Sequence, residues 1–248
     1  MEIIPAIDIR DGRCVRLEQG DYARETVFDD DPLSVAHRWA AEGAQRIHVV
    51  DLDGAREGHP VNLALVRRIA QSVDCHVQTG GGIRDMDTLR STLDAGLSRV
   101  VLGTAAVKDP GMLREAVAVA GDRLVVSVDA RDGFVSIEGW TEATSVDARA
   151  LIERLANAGV ARIIYTDIMR DGLRRGPNFE MYERLTANTS IAVIAAGGIT
   201  TTDDVHQLAE CGVEGAIIGR ALYDGRLDPR AALAVLKDRR EAQKKGKG

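Results

Sequence analysis

The sequence predicts a (β/α)8 barrel, and three observations lead there. Short β-branched runs alternate eight times with longer segments of helical period. The chain has 248 residues, the size of one such barrel. Its motifs also recur at a fixed offset.

Each element follows from local signals. Strands are expected over residues 3–8, 46–51, 76–79, 99–102, 124–129, 162–166, 191–196 and 215–218, where Val and Ile gather in short runs. Helices are expected to begin near Pro32, Asn62, Asp85, Pro110, Ser145, Asn178, Thr202 and Asp228. Asp31-Pro32 and Asp109-Pro110 set an N-cap aspartate before a proline whose missing N–H costs nothing in a first turn. Gly43, Gly96, Gly159 and Gly212 stand where four helices should end.

The repeat separates a closed barrel from an open, doubly wound sheet. "DLDGAREGHPVN" from Asp51 matches "DIMRDGLRRGPN" from Asp167, an offset of 167 − 51 = 116. "VQTGGGI" and "VIAAGGI" recur at the same offset, as do Gly103 in "VVLGTA" and Gly219 in "AIIGRA". "AIDIRDG" and "SVDARDG" place Asp8 and Asp129 at 129 − 8 = 121, which implies an indel of five. Colinear matches of this kind describe two (βα)4 half-barrels. The expectation is one domain over residues 1–240, with halves of about 1–120 and 121–240 and a disordered lysine-rich tail over 241–248.

Composition excludes several classes. Net charge is −6 and aromatics make up 4% of the chain, so there is neither the basic face nor the stacking array of a nucleic-acid binder. The basic run from Lys237 to Lys247 reads as a solvated end. Cys14, Cys75 and Cys211 are odd in number and lack CxxC spacing, as expected of reduced thiols in a cytoplasmic protein. The five histidines show no metal-ligand spacing, and no apolar run reaches membrane length.

The duplicated residues fall where strands end, which in this fold is where the active site lies. Gly80-Gly81-Gly82 with Gly103, and Gly197-Gly198 with Gly219, let backbone N–H groups approach an anion. Thr104 and Arg220 follow as extra donors. Two matched cradles point to a ligand with two phosphates. Asp8 and Asp129 end strands that face each other across the barrel, an arrangement suited to general acid and general base work once their pKa values are split. Asp51 and Asp167 either act there or brace loops. Thr166 either supports a carboxylate or is an ordinary strand residue, and His48 reads as a buried, hydrogen-bonded histidine. Trp140, in "IEGW" after the fifth strand, either stacks on a flat heterocycle or plugs its loop.

The set "IIPAIDIRDGRCVRL", "HVVDLDGA", "GGGIR", "VVLGTAA", "VDARDG", "YTDIMRDG", "GPN" and "IIGRALYDG" resembles the phosphoribosylformimino aminoimidazole carboxamide ribotide isomerases of histidine biosynthesis over nearly the whole chain. The resemblance implies an Amadori rearrangement of an aminoaldose to an aminoketose, on a substrate with a phosphate at each end. It implies Asp8 as proton acceptor, Asp129 as proton donor and Thr166 as their support. Asp171, Gly176 and Trp140 join the glycines Gly81, Gly82, Gly103, Gly197, Gly198 and Gly219, with Thr104 and Arg220, as substrate-binding residues. It implies no metal or organic cofactor, since imine formation already acidifies the proton to be moved. No obligate protein partner is expected, and composition already speaks against nucleic acid and membrane. The chain departs from the pattern at Arg174 and Arg175, expected to tighten one phosphate site, and at Ala196 and Thr79. Three alternatives stay open. The sister cyclase resembles "IPCLD" where this chain has Ala6. A bifunctional isomerase also acting on phosphoribosyl anthranilate would carry arginine where this chain has Glu138, whose charge should repel the anthranilate carboxylate. The third is a non-catalytic phosphosugar-binding barrel.

Overall fold

A computed structural model describes residues 1–173 and 175–245. Among the described residues twelve strands form one sheet: β1 (Glu2–Arg10), β2 (Arg13–Glu18), β3 (Asp21–Asp29), β4 (Arg46–Asp51), β5 (His76–Gly80), β6 (Arg99–Leu102), β7 (Leu124–Arg131), β8 (Phe134–Ile137), β9 (Glu142–Asp147), β10 (Arg162–Asp167), β11 (Ala192–Ala196) and β12 (Gly215–Ile218). Eight of them pair in parallel in the order β1, β4, β5, β6, β7, β10, β11, β12, and β12 returns to β1 through Glu2↔Gly215. The barrel is therefore closed, as expected.

Period-two alternation divides each barrel strand between two cores. Ile4, Ala6, Val101, Val125, Ile164, Ile194 and Ile217 pack inside the barrel. Ile3, Ile7, Ile47, Val49 and Val126 face the helices, where Val35, Trp39, Ile69 and Leu89 meet them. Residues at the strand starts close the lower end with charge. Arg46 Nε donates to Glu2 at 3.0 Å and Arg162 Nη2 to Glu214 at 2.7 Å, with Arg99 between the two carboxylates.

The helices begin on the expected caps. Asp31 accepts from Leu33 N ahead of α1 (Pro32–Ala41), and α2 (Leu52–Glu57) and α3 (Leu63–Ser72) follow β4. Asp85 caps α4 (Met86–Asp94); α5 (Thr104–Lys108) is one short turn; Asp109 accepts from Gly111 and Met112 N ahead of α6 (Pro110–Ala120). The helix expected near Ser145 starts later. Ser145 is spent in β9, so Asp147 becomes the cap of α7 (Ala148–Asn157). Then come α8 (Phe179–Asn188), α9 (Thr202–Glu210) under a Thr201–Asp204 capping box, the short α10 (Arg220–Tyr223) and α11 (Pro229–Lys245). The last helix runs to Lys245, into the tail expected to be disordered, because Ala, Gln, Glu and Lys favour helix. Residues 246–248 of that tail lie outside the described residues.

Two hairpins were not expected. β1 continues into β2 and β3, and β7 into β8 and β9. Both turns are Asp-Gly with positive φ at each residue: Asp11 +49° and Gly12 +73°, Asp132 +52° and Gly133 +84°. That is the left-handed pair of a two-residue hairpin turn, and it explains why Asp-Gly occurs twice after a strand-end aspartate.

Candidate active site

The tops of the barrel strands surround a cavity of about 220 Å³, with a smaller hollow of about 20 Å³ beside it. Asp8 and Asp129 line the larger cavity from opposite walls, together with Thr166, Ser127 and His48. Arg16, Asp171 and Ile217 line both spaces, so they form the partition between them.

The two carboxylates sit in different electrostatic settings. Asp8 is buried, and burial pushes its carboxyl upward. Arg16, whose Nη1 donates to Oδ2 at 2.7 Å, opposes that shift, while Asp171 adds to it. Burial also raises Asp129, but only neutral donors oppose the shift there: Thr166, Trp140 and Ser127, the last through Oγ–Oδ1 at 2.8 Å. A guanidinium holds a charged carboxylate far better than hydroxyls and an indole do. The guanidinium thus favours the ionised form of Asp8, and Asp129 has no such cationic partner.

Arg16 had no signal singled out in the sequence. It lies on β2, placed over Asp8 by the Asp8↔Val15 register, and it also approaches Asp171 at 3.5 Å. Its Nε is buried without a hydrogen-bond partner, whereas Nε of Arg220 lies 3.5 Å from Asp224 Oδ2. Two guanidinium groups in the walls of the smaller hollow, one with an unpaired N–H, suit an anion.

The two glycine clusters line different spaces and are not equivalent. Gly81, Gly82, Gly103 and Thr104 line the larger cavity, and a Cβ on Gly103 would project into open space. Gly197, Gly198, Gly219 and Arg220 line the smaller hollow, where a Cβ on Gly219 would lie 2.4 Å from Arg16 Cζ. The side chain of Arg16 thus leans over the second cradle. Gly82 (+77°) and Gly198 (+80°) need glycine for their φ and for the backbone packed behind them. Gly176 lines neither space; its carbonyl backs Gly198 and accepts from Arg170 Nη1 at 3.1 Å. Arg175 is exposed and lines neither space, and Arg174 lies outside the described residues.

Thr104 Oγ1 accepts from Glu138 N at 2.9 Å, which ties the tip of the second hairpin to the first cradle. In that tip Glu138, Gly139 and Trp140 all have positive φ. The Trp140 ring lies against Gly20 of the first hairpin, where a Cβ would come within 2.6 Å of it. The hairpin tips therefore meet across the cavity. Glu138 does not stand alone. It pairs with Arg84 and, at 2.9 Å, with Lys108, and its carboxyl is held below the usual range chiefly by the Lys108 hydrogen bond.

Asp51 and Asp167 brace loops. Asp51 accepts from the backbone N of Gly54, Val61 and Asn62 and from Asn62 Nδ2, and Asp167 from Met169 N and Asn178 Nδ2. None of the three cysteines is in a disulfide. Among the described residues no three His, Cys, Asp or Glu side chains gather as a metal site requires, and no helix is long and apolar enough to cross a membrane.

Comparison with known proteins places this chain in a family. Residues 2–228 match the model of the histidine biosynthesis protein family. A protein from Roseiflexus sp. (strain RS-1) is 54% identical over 236 residues, covering 95% of this chain and 100% of its own length. One from Methylobacterium nodulans is 50% identical over 247 residues, covering 98% of each chain. Both are named 1-(5-phosphoribosyl)-5-((5-phosphoribosylamino)methylideneamino) imidazole-4-carboxamide isomerase. The chain, a closed barrel whose paired carboxylates and glycine cradles recur in its two halves, belongs to the histidine biosynthesis protein family.

Proposed function

We propose that this chain is the isomerase for which those relatives are named, converting the phosphoribosylformimino aminoimidazole carboxamide ribotide aminoaldose to its aminoketose in the cytoplasm. The observation that carries the reading is the unequal pair of buried carboxylates, Asp8 and Asp129, facing each other between two glycine cradles.

Asp129 donates a proton to the ring oxygen of the aminoaldose and opens the furanose to an imine. Asp8 then takes the proton from C2′, and the electron pair of that C–H bond moves toward the imine nitrogen to give an enolamine. Tautomerisation leaves the ketone at C2′. The assignment follows the electrostatics: the acid is the carboxyl without a cationic partner, and the base is the one beside a guanidinium. Thr166 and Ser127 hold the donor's carboxyl in place. One phosphate rests on Gly81, Gly82, Gly103 and Thr104, the other on Gly197, Gly198, Gly219 and Arg220. A ligand spanning both must pass the place where Arg16 stands, and its second phosphate offers Arg16 an anion other than Asp8. Trp140 stacks on the imidazole carboxamide.

Phosphoribosyl anthranilate is not a substrate in this reading. Arg84 and Lys108, the cations that reach Glu138, are both engaged by it and are not free for an anthranilate carboxylate. Incubation of the protein with the ribotide substrate, followed by its absorbance change, tests the proposal. Turnover to the ketose supports it, and a correctly folded protein without turnover ends it.

A further inference from the structure

Below the two carboxylates the barrel carries a buried polar pair, with Ser127 beneath Asp129 and Arg99 beside the pair in register. His48 on β4 and Gln78 on β5 are neighbours in register, and Gln78 Nε2 lies 3.1 Å from His48 Nδ1. Gln78 is fully buried at 0% exposure, and its Oε1 has no hydrogen-bond partner. His48 lines the reaction cavity, one residue pair deeper than Asp8, since Ala6 is its partner in register on β1.

A buried amide with one free end can be arranged in two ways. If its nitrogen faces His48, Nδ1 is an acceptor, the ring proton sits on Nε2, and one N–H and the carbonyl oxygen are left unpaired. If its oxygen faces His48, two N–H donors are left buried and unpaired. Orphaned buried donors are rarer and more costly than an under-satisfied carbonyl. The first arrangement is therefore favoured, and it leaves Nε2–H as a neutral donor on the floor of the cavity. Burial, reinforced by the positive charge of Arg16, keeps the ring neutral by lowering its pKa to about 4.

We propose that Gln78 locks His48 in the Nε2–H tautomer, and that this N–H binds the sugar oxygen on the carbon deprotonated by Asp8, the oxygen that ends as the ketone. The oxygen assignment rests on the isomerase reading; the tautomer assignment does not. The donor is most useful as that oxygen gains carbonyl character, so His48 acts on the reacting atoms and Gln78 is a positioning residue.

Nitrogen NMR on the ¹⁵N-histidine protein tests the tautomer without perturbing the site. His37, His59, His76 and His206 are exposed and can be replaced by glutamine to leave the His48 signals alone. The expected spectrum is a neutral ring protonated at Nε2 at pH 7. A ring protonated at Nδ1, or an imidazolium, overturns the proposal whatever the enzyme does. In Gln78→Leu the tautomer preference should weaken and kcat fall with KM little changed; an unaltered tautomer overturns the role of Gln78. For catalysis, His48→Leu should lower kcat by ~10²-fold, as for loss of one preorganised donor. His48→Gln, whose amide N–H can reach the place of Nε2, should recover most of it. Equal activity of the leucine and glutamine variants overturns the donor role. Failure of the unmodified protein to turn over at all would end the isomerase reading and leave the tautomer result standing.

Discussion

Gly198→Ala is the most direct probe of the second cradle. At φ +80° an alanine adopts the left-handed region, which costs about 1–2 kcal/mol. Its Cβ would also lie 2.5 Å from the carbonyl oxygen of Gly176, against 3.4 Å for an ordinary contact, so one of the two must yield by 3.4 − 2.5 = 0.9 Å. Arg170 holds that carbonyl from behind, so part of the shift falls on the Gly198 N–H itself. Losing one backbone hydrogen bond to a charged phosphate is worth about 1.5–3 kcal/mol. At about 1.4 kcal/mol per factor of ten, KM should rise roughly 10- to 150-fold, with kcat much less affected. Gly96→Ala is the control. It shares the positive φ, at +88°, but has nothing within 4 Å of the new Cβ and lies far along the chain at the end of α4. In a chain of this size the φ penalty alone corresponds to a fall in Tm of about 2–8 °C, which both variants should show. Steady-state kinetics and thermal melts separate the two effects. If Gly198→Ala matched Gly96→Ala in KM, the second cradle would not be holding a phosphate.

Asp8→Asn and Asp129→Asn should each lower kcat by at least ~10²-fold while inhibitory phosphate still binds, because the cradles do not include either residue; near wild-type turnover of either would reverse the assignment. Asp129→Asn should also raise Tm at neutral pH. A carboxyl raised above its ordinary value of 3.8 by burial stabilises the fold below that value and loses this contribution as pH rises through the folded pKa, so the advantage of asparagine should vanish on acidification. Arg16→Met should move the acid limb of the kcat/KM profile to higher pH, since the guanidinium opposes the rise that burial imposes on Asp8, and a limb that stayed in place would mean that Asp8 is not the base.

The barrel was legible because its signals are local. Eight buried runs, cap aspartates before proline and terminal glycines each act within a few residues, and the 116-residue offset tied them into halves. The paired carboxylates and glycine clusters were legible for the same reason. The hairpins were missed although their signal was present. Asp11-Gly12 and Asp132-Gly133 are hairpin turns, but their place after strand-end aspartates made them look like extensions of a site motif. Arg16 was missed with them, because only strand register brings it over Asp8. Register also hides the pairing of His48 with Gln78, thirty residues apart. The charge on Glu138 was read correctly, but its neighbours were not visible, since Arg84 and Lys108 arrive from other loops.

The two hairpins that meet at Gly20 and Trp140 divide the molecule into a symmetric and an asymmetric part. Each grows from the strand carrying a proposed catalytic aspartate. Barrel closure demands matched strands, so the frame has little freedom to differ between its two sides. The outgrowths are under no such constraint. One delivers a guanidinium to its aspartate and the other an indole to its own. The difference between the two aspartates therefore lies in two loops that touch, and it can be altered there without disturbing the barrel.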